Sequence, residues 1–448
     1  MDVIINNSGG VNYRNNFALN IFIISALMAF PFGFDFSFDA VGCSFFLSLV
    51  LSTFFLFKYS SGHIRLISVY YLFSVLFFCL IPWLHYTSGR VVWVTSQFSP
   101  NILLSINFII ISANILTYFV YGVFFELKSS RSISRHIVGG SASPIFRMVG
   151  ASSVGLVGLY VLYGSSISSL FIRELSEIQE TEFSGDSAVL ALMKHIFRLL
   201  PVFSFFLSYS FPVGKLTKTF LFFALAVAVF PTGVPRYLVG VVYIPLLLLF
   251  VPRLRAASAF IALLLAAILF VFPFLEQFRR LSETDAIKLF PDSEFFFAAH
   301  FDAFENFCSA FDQSFITNGF QLLGTVLFFV PRSIWPNKPF GSGYTLAHNL
   351  HYGFDNLSMP WLGEGFVNFG VLGIFLYAVF AAFLMAKIDS TFLSSGKKFW
   401  AGNYNAAIYF YALGSLVFVL RGDSMSAVAY VSGGVIIAKL ISFGLYLG

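Results

Sequence analysis

Apolar runs long enough to cross a lipid bilayer recur along the whole of this 448-residue sequence. Crossing the hydrocarbon core as a helix takes about 20 mostly apolar residues. The composition agrees with such crossings, because 58% of the residues are hydrophobic and only 10% are charged, whereas a soluble domain carries about 25% charged residues. The sequence therefore predicts an all-α polytopic integral membrane protein and argues against a soluble fold.

We predict about twelve transmembrane helices from the length and spacing of these runs. Their approximate ranges are 17–33, 40–57, 65–84, 102–124, 148–171, 188–211, 218–231, 237–251, 257–275, 362–386, 401–420 and 426–447. The polar start, "MDVIINNSGGVNYRNN", leads into an apolar run that we expect to be a retained helix rather than a cleaved signal peptide. The three cysteines, Cys43, Cys79 and Cys308, lack the spacing of a metal site or a disulfide framework.

The distribution of lysine and arginine predicts one orientation, with both termini in the cytoplasm. The loop "ELKSSRSISRHIVGGSASPIFR" holds Lys128, Arg131, Arg135 and Arg147 against Glu126, which is typical of a cytoplasmic loop. The loop "RELSEIQETEFSGD", with five carboxylates against one arginine, falls on the opposite side. The net charge of +5 then reflects cytoplasmic loops and gives no reason to expect a nucleic-acid partner.

One large external loop, about residues 276–361, separates an N-terminal membrane region, 1–275, from a C-terminal membrane region, 362–448. The run "NGFQLLGTVLFFVP" inside this loop is too short to span a bilayer, so it predicts a re-entrant or interfacial helix. The stretch that follows, "FFVPRSIWPNKPFGSGYTLA", holds Pro331, Pro336 and Pro339. We expect these prolines to end the short helix and to restrict the backbone around it.

Three arginines stand at the outer ends of spans or in external turns: Arg236, Arg332 and Arg421. A guanidinium group presents a planar fork of donors that matches phosphate oxygens. Together they predict a site for a phosphate at the depth of lipid headgroups, although arginines at helix ends also snorkel to the membrane surface. Inside the sixth span, Lys194 and Arg198 lie one turn apart with His195 beside them, which predicts a second anion-binding wall or, alternatively, partial snorkelling.

The large loop and the span entrance after it carry His300, Asp302, Glu305 and Glu364. A carboxylate or an imidazole can serve as a general base when a sugar hydroxyl attacks, but loop carboxylates are more often simply solvated. No metal-binding or nucleotide-binding motif accompanies them, and neither a metal nor another cofactor is expected.

The stretch "FFVPRSIWPNKPFGSG", followed by "GEGFVNFGVLGIF", resembles the bacterial O-antigen and oligosaccharide repeat-unit polymerases, the Wzy family. The motifs "PTGVPRYLVG" and "LRGD" add to a resemblance that covers the C-terminal half. It implies a GT-C-like glycosyltransferase of the bacterial inner membrane whose active site faces the periplasm. It also implies undecaprenyl-pyrophosphate-linked oligosaccharides as substrates, bilayer lipids as surroundings, and a chain-length-regulating co-polymerase of the Wzz type as a possible partner.

The implied reaction moves a growing glycan from undecaprenyl pyrophosphate onto another lipid-linked repeat unit. The three outer arginines would stabilise the charge that grows on the leaving pyrophosphate, and His300, Asp302 and Glu364 are the candidate bases. The residues that we expect to contact the substrate are Lys338, Trp335, Lys194, Arg198 and Tyr344.

Three other functions stay open at this point. A ligase of the same superfamily would share the architecture and the arginines, while the proline-rich block favours the polymerase. A flippase or transporter of lipid-linked oligosaccharides would carry cavity-lining charges along many spans, whereas charges here gather on the outer side. A structural assembly subunit would leave convergent arginines unexplained.

Overall fold

The computed structural model describes residues 4–5, 11–12, 17–30, 36–93, 97–129, 143–171, 187–271, 293–355, 357–393 and 404–446. This part of the chain is helical almost throughout. Its two strands, Ile4–Ile5 and Val11–Asn12, form a single antiparallel pair in which Ile5 faces Val11. The predicted all-α class is therefore confirmed for the described residues. The predicted acidic loop 173–186 and the start of the large loop, 276–292, lie outside them.

The described residues form seventeen α-helices. They are α1 Phe17–Ala29, α2 Ala40–Tyr59, α3 Leu66–Phe73, α4 Ile81–Ser88, α5 Pro100–Ser129, α6 Ser143–Leu162, α7 Ser168–Phe171, α8 Ser187–Leu207, α9 Lys215–Ala228, α10 Arg236–Phe250, α11 Ala257–Ala266, α12 Ala303–Asp312, α13 Phe320–Val326, α14 Ser342–Asn349, α15 Trp361–Leu393, α16 Tyr404–Arg421 and α17 Ser424–Tyr446. Two π-helical stretches, Ser74–Leu80 and Ala267–Val271, continue α3 and α11. Short 3-10 turns cover Ser208–Ser210, Pro252–Arg255, Ser293–Phe297 and Ala299–Phe301.

Eight helical stretches in the described ranges are long and apolar enough to cross a membrane. They are Ala40–Tyr59, Leu66–Ser88, Pro100–Glu126, Pro144–Leu162, Leu190–Leu207, Trp361–Leu393, Tyr404–Arg421 and Ser424–Ser442. The other four predicted spans fall on α1, α9, α10 and α11, which are shorter. The polytopic membrane character of the chain follows, while the full count of twelve spans stays a prediction.

The chain divides into two compact units. Unit 1 contains residues 1–124, 251–386 and 419–425, and unit 2 contains residues 125–250, 387–418 and 426–448. The predicted regions 1–275, 276–361 and 362–448 describe membrane topology rather than compactness, so they stay predictions. Inside unit 2, apolar side chains of α6, α8, α9 and α10 form a continuous buried core around residues such as Leu199, Phe203, Leu225 and Leu238.

Polar side chains inside the apolar helices of unit 1 bond to one another. The amide nitrogen of Asn114 donates to the hydroxyl oxygens of Ser74 (2.7 Å) and Ser52 (3.2 Å). The hydroxyl of Tyr70 donates to the amide oxygen of Asn114 at 2.9 Å, and that of Tyr71 to its backbone carbonyl at 3.0 Å. Hydrogen bonds of this kind join helices where no water competes for the polar groups.

The helix α15 reverses direction near its start. Phe369 and Gly370 leave the helical conformation, and Gly370 takes a left-handed backbone (φ +63°) that glycine adopts without steric cost. The indole N–H of Trp361 donates to the carbonyl of Tyr377 at 2.8 Å, although sixteen residues of straight helix would separate them by about 24 Å. Residues 361–368 therefore form a short limb that runs back along residues 371–377. The predicted span 362–386 is helical but not straight.

Two glycines make this close approach possible. A Cβ atom on Gly373 would overlap the carbonyl oxygen of Gly365, and one on Gly365 would lie 2.5 Å from the carbonyl oxygen of Gly373. The motif "GEGFVNFGVLG" thus supplies a left-handed turn residue and two small contact residues at the places where the reversal needs them.

We expect the substitution Gly373→Ala to lower the free energy of unfolding by about 1–3 kcal/mol, because the limbs must separate to admit the methyl group. Thermal unfolding of the purified protein in detergent measures this as a lower Tm. The matched control is Gly122→Ala on α5, where an added Cβ meets no atom within 4 Å. Equal Tm values for the two variants would contradict the reversal.

Candidate functional site

Residues 421–424, "RGDS", form the turn between α16 and α17 and belong to unit 1. Asp423 accepts hydrogen bonds from the backbone N–H groups of Gly343 (3.2 Å) and Met425 (2.9 Å). A side chain at Gly341 would overlap the Asp423 carboxylate, so this position suits only glycine. The N–H of Ser424 donates to Glu364 at 2.9 Å. The turn thus contacts Gly341 and Gly343, which follow the last proline of the proline-rich stretch, and the carboxylate of Glu364 in α15.

Arg421 pairs with Asp302, a residue 119 positions away in the sequence. Its Nη2 lies 2.9 Å from Oδ1 of Asp302 and 2.6 Å from the carbonyl oxygen of Ala299. The Asp302 side chain is 2% exposed and accepts further bonds from the Ser358 hydroxyl (2.5 Å) and the Trp93 indole (2.9 Å). The Arg421 side chain is 31% exposed, and its Nε has no hydrogen-bond partner among the described residues. Asp302 therefore fixes one side of the guanidinium group, and the side chain keeps a partly exposed surface.

Glu364 lies buried in the short limb of α15. Its Oε2 accepts from the hydroxyl of Ser342 at 2.8 Å, and its Oε1 accepts from the N–H of Ser424. Ser342 lies in the proline-rich stretch after its last proline and begins α14. Because Asp302 and Glu364 are both buried, the alternative that these carboxylates are solvated is wrong.

Within the proline-rich stretch, Arg332 and Lys338 donate to carbonyl groups of their own loop. The guanidinium nitrogens of Arg332 lie 2.5 Å from the carbonyl oxygen of Lys338 and 3.0 Å from that of Pro339. The ammonium group of Lys338 lies 2.5 Å from the carbonyl oxygen of Phe328 and 3.1 Å from that of Val330. The two cations stabilise the loop, and their contact with a pyrophosphate stays a prediction.

Aromatic rings lie in the same stretch, and one of them contacts Arg332. The Arg332 guanidinium carbon lies 3.8 Å from the centroid of the Phe340 ring, which stacks on Tyr344 with centroids 4.6 Å apart. Trp335 meets Phe320 edge to face at 6.0 Å. Both Trp335 and Tyr344 are half-buried, so each keeps part of its ring surface, and their predicted contacts with a sugar stay predictions.

Two catalytic candidates remain, His300 and Arg236. His300 lies half-buried in the 3-10 turn Ala299–Phe301, with its ring centroid 6.1 Å from that of Phe295. Arg236 begins α10 in unit 2, and its side chain lies outside the described residues. The predicted convergence of the three arginines therefore stays a prediction, with Arg332 and Arg421 in the same unit.

In unit 2, the three predicted residues of α8 are buried rather than snorkelling: Lys194, His195 and Arg198. The Lys194 ammonium group lies 4.2 Å from the centroid of the Tyr163 ring. Arg198 donates to the Tyr163 hydroxyl and, at 3.2 Å, to the carbonyl of Gly233. Their predicted role in binding an anion stays a prediction.

A second buried pair braces the helix that carries Asp302. Glu305, in the first turn of α12, lies 2.6 Å from Nδ1 of His85. The other ring nitrogen of His85 lies 2.6 Å from the carbonyl oxygen of Phe296, and the N–H of Val92 donates to Glu305 at 2.7 Å. These contacts fix the start of α12 and hence the position of the carboxylate that holds Arg421.

Among the described residues, no group of three or more histidine, cysteine, aspartate or glutamate side chains is arranged to hold a metal ion. Comparison of the chain with protein-family models, with curated proteins and with solved structures found no match. Its function is therefore argued from the residues of the site.

We expect Arg421→Ala to lower the free energy of unfolding by about 2–3 kcal/mol, because it leaves Asp302 buried without its cation. Fully buried pairs cost about 3–5 kcal/mol to break, and the partial exposure of Arg421 reduces that cost. Adding Asp302→Asn should restore part of the loss, as a double-mutant cycle measures.

The matched control is Arg90→Ala. Arg90 makes a two-bond pair with Glu294 (2.8 and 2.7 Å) whose side chains are 50% and 67% exposed. The hydrogen bonds from Arg90 hold the pKa of Glu294 below its usual value, but a pair this exposed contributes little to the free energy of unfolding. Strictly additive effects of Arg421→Ala and Asp302→Asn would show that the pair carries no coupling.

Proposed function

We propose that the protein is an O-antigen polymerase that works on polyprenyl-linked glycans. In the proposed reaction, a hydroxyl oxygen of the acceptor repeat unit forms a bond to the anomeric carbon of the donor glycan. The bond from that carbon to the pyrophosphate oxygen breaks, and the hydroxyl proton passes to a base. Undecaprenyl pyrophosphate leaves with the electron pair of the broken bond, and no metal or redox partner is required.

The single observation that carries this proposal is the pairing of Arg421 with Asp302 in the "RGDS" turn, beside the proline-rich stretch. The guanidinium group is oriented by a buried carboxylate, and the Arg421 side chain is 31% exposed. A fixed cation of this kind favours the charge that develops on a leaving pyrophosphate more than it favours the substrate. Within the proposal, Arg421 is the catalytic cation and Asp302 is a positioning residue.

The proton acceptor is assigned to a partly exposed group of the same turn. Asp302 and Glu364 are buried. Asp423 is half-buried beside Gly341, and its two oxygens accept only backbone N–H groups in the hydrogen bonds given above. Asp423 is thus the carboxylate of the turn that a sugar hydroxyl reaches with the least rearrangement, and His300 is the other partly exposed candidate. Sequence reasoning missed Asp423, which the "LRGD" motif contains.

The finer features of the expected architecture belong to this proposal. They comprise a GT-C-like arrangement of twelve spans, cytoplasmic termini, a location in the bacterial inner membrane with the site facing the periplasm, and a co-polymerase of the Wzz type as partner. The excess of cations in loops such as 126–147 supports the orientation.

Lipopolysaccharide gels of a deletion strain test the proposal directly. We expect the deletion to leave core carrying a single repeat unit, because the transfer that lengthens the glycan is lost. Complementation with the native chain should restore the ladder of long chains. Core without any repeat unit would point to the ligase or the flippase instead.

Site variants in the same strain test the assigned residues. We expect Arg421→Ala and Arg421→Lys both to lose long chains, since losing one positioned donor costs on the order of 2–4 kcal/mol of barrier and an ammonium group lacks the fork. Arg90→Ala, with its exposed pair, is the control that should keep the ladder. Long chains made by Arg421→Ala at the native protein level would remove the residue from catalysis.

The substitution Arg332→Lys distinguishes a role of Arg332 in catalysis from a role in stabilising its loop. The Arg332 fork reaches two carbonyl oxygens, of Lys338 and Pro339, and an ammonium group at this position reaches one of them. If Arg332 acts through the loop, Arg332→Lys should lower the Tm and the chain length together. A normal Tm with lost polymerisation would instead assign Arg332 to the pyrophosphate.

A further inference from the structure

The segment 317–340, which contains α13 and most of the proline-rich stretch, is tied to the reversal of α15. The N–H of Thr317 donates to the carbonyl of Val367 at 2.7 Å, and the N–H of Gly319 to that of Asn368 at 2.8 Å. The N–H of Leu322 donates to the side-chain oxygen of Asn368 at 2.6 Å. Carbonyl groups next to the break in α15 thus find their partners in this segment, which is held beside the start of the longer limb.

The longer limb of α15 belongs to a stretch apolar enough to cross a membrane. Directly after the reversal it exposes large apolar side chains, with Leu372 67% exposed and Val371 45% exposed. In a membrane-spanning helix, such a face meets lipid. The segment 317–340 is therefore fixed next to a lipid-facing surface.

The segment itself presents a row of large apolar side chains, here called the apolar rim. Its members are Phe320, Leu323, Val326, Phe329, Ile334 and Phe340, each more than two-fifths exposed, up to 75% for Ile334. α13 has seven residues, about 10 Å of helix, which cannot cross a hydrocarbon core of about 30 Å. The rim is an exposed apolar surface outside the eight candidate spans.

The two cations of the same segment bond to its own backbone, while its small polar residues Asn318, Ser333 and Asn337 are exposed. Arg332 and Lys338 satisfy four carbonyl groups of the loop, and the three prolines have no N–H to satisfy. Irregular backbone is tolerated at membrane depth only where its polar groups find partners inside the protein. The proline-rich loop meets this condition at four of its carbonyl groups, because its two cations bond to them while its large apolar side chains are exposed.

We propose that the apolar rim binds the hydrocarbon chains of bilayer lipids at the boundary between headgroups and acyl chains. The proposal commits to lipid as the occupant because the rim continues the lipid-facing surface of the longer limb. The half-buried Trp335 next to Phe320 matches the preference of tryptophan for the same boundary. The rim then fixes the proline-rich stretch at the membrane surface. Because Gly341 and Gly343 of this stretch contact Asp423, the "RGDS" turn is held at a constant distance from that surface.

Quenching by brominated lipids tests the proposal on the full-length chain. A bimane probe is attached at Ile334→Cys in a Cys43→Ser background, since the other two cysteines are buried. In liposomes of brominated phosphatidylcholine, we expect about two-fold lower fluorescence than in unbrominated liposomes, because interfacial segments insert to the depth of the upper acyl chain. Phe329→Cys provides a second probe position on the rim if the first variant does not fold.

The matched control is Asn349→Cys, an exposed polar position at the end of α14 in the same unit, where bromination should change little. The proposal would be overturned if iodide in the water quenched the probe at position 334 and brominated lipid did not. Protection from both quenchers would also overturn it, since a protein surface would then cover the rim. Because the readout does not use activity, the result holds whether or not the chain polymerises O-antigen.

Discussion

Backbone and charged groups that are withdrawn from water must find partners inside the protein, and this requirement decides the local structure of unit 1. The break in α15 leaves carbonyl groups at Val367 and Asn368, and they are bonded by the chain that precedes α13. The proline-rich loop has carbonyl groups that no regular element serves, and Arg332 and Lys338 bond to them. Both of these departures from helical structure are thus paired with specific donors, as a low-dielectric environment demands.

The same requirement explains why the candidate site lies at the "RGDS" turn. A turn between two membrane helices exposes N–H groups, and those of Ser424 and Met425 bond to the carboxylates of Glu364 and Asp423. Buried carboxylates need donors in turn, which Ser342, Ser358 and Arg421 supply. The resulting network links four separate stretches of sequence, so the position of the guanidinium group depends on all of them together.

Much of the helical content could be predicted because hydropathy is a local property: each of the twelve predicted apolar ranges falls on a helix. The reversal of α15 could not be predicted in this way, because both limbs are apolar and hydropathy carries no information on direction. The spacing of Gly365, Gly370 and Gly373 is the signal that was available. The pairing of Arg421 with Asp302 spans 119 positions, and nothing local in either stretch specifies the other. The role of Arg332 in stabilising its loop could not be predicted either, because the sequence shows its charge and not the carbonyl groups to which it bonds.

The reversal of α15 also has a consequence for how this chain tolerates change in length. An ordinary membrane helix accepts an inserted residue by a shift along its axis, because lipid makes no specific demand on register. Here one inserted residue between Gly365 and Gly373 would rotate one limb by about 100° and bring a side chain between two backbones in contact. It would also carry Glu364 away from Ser342 and Ser424. This one transmembrane element should therefore be as intolerant of insertions and deletions as the interior of a soluble enzyme.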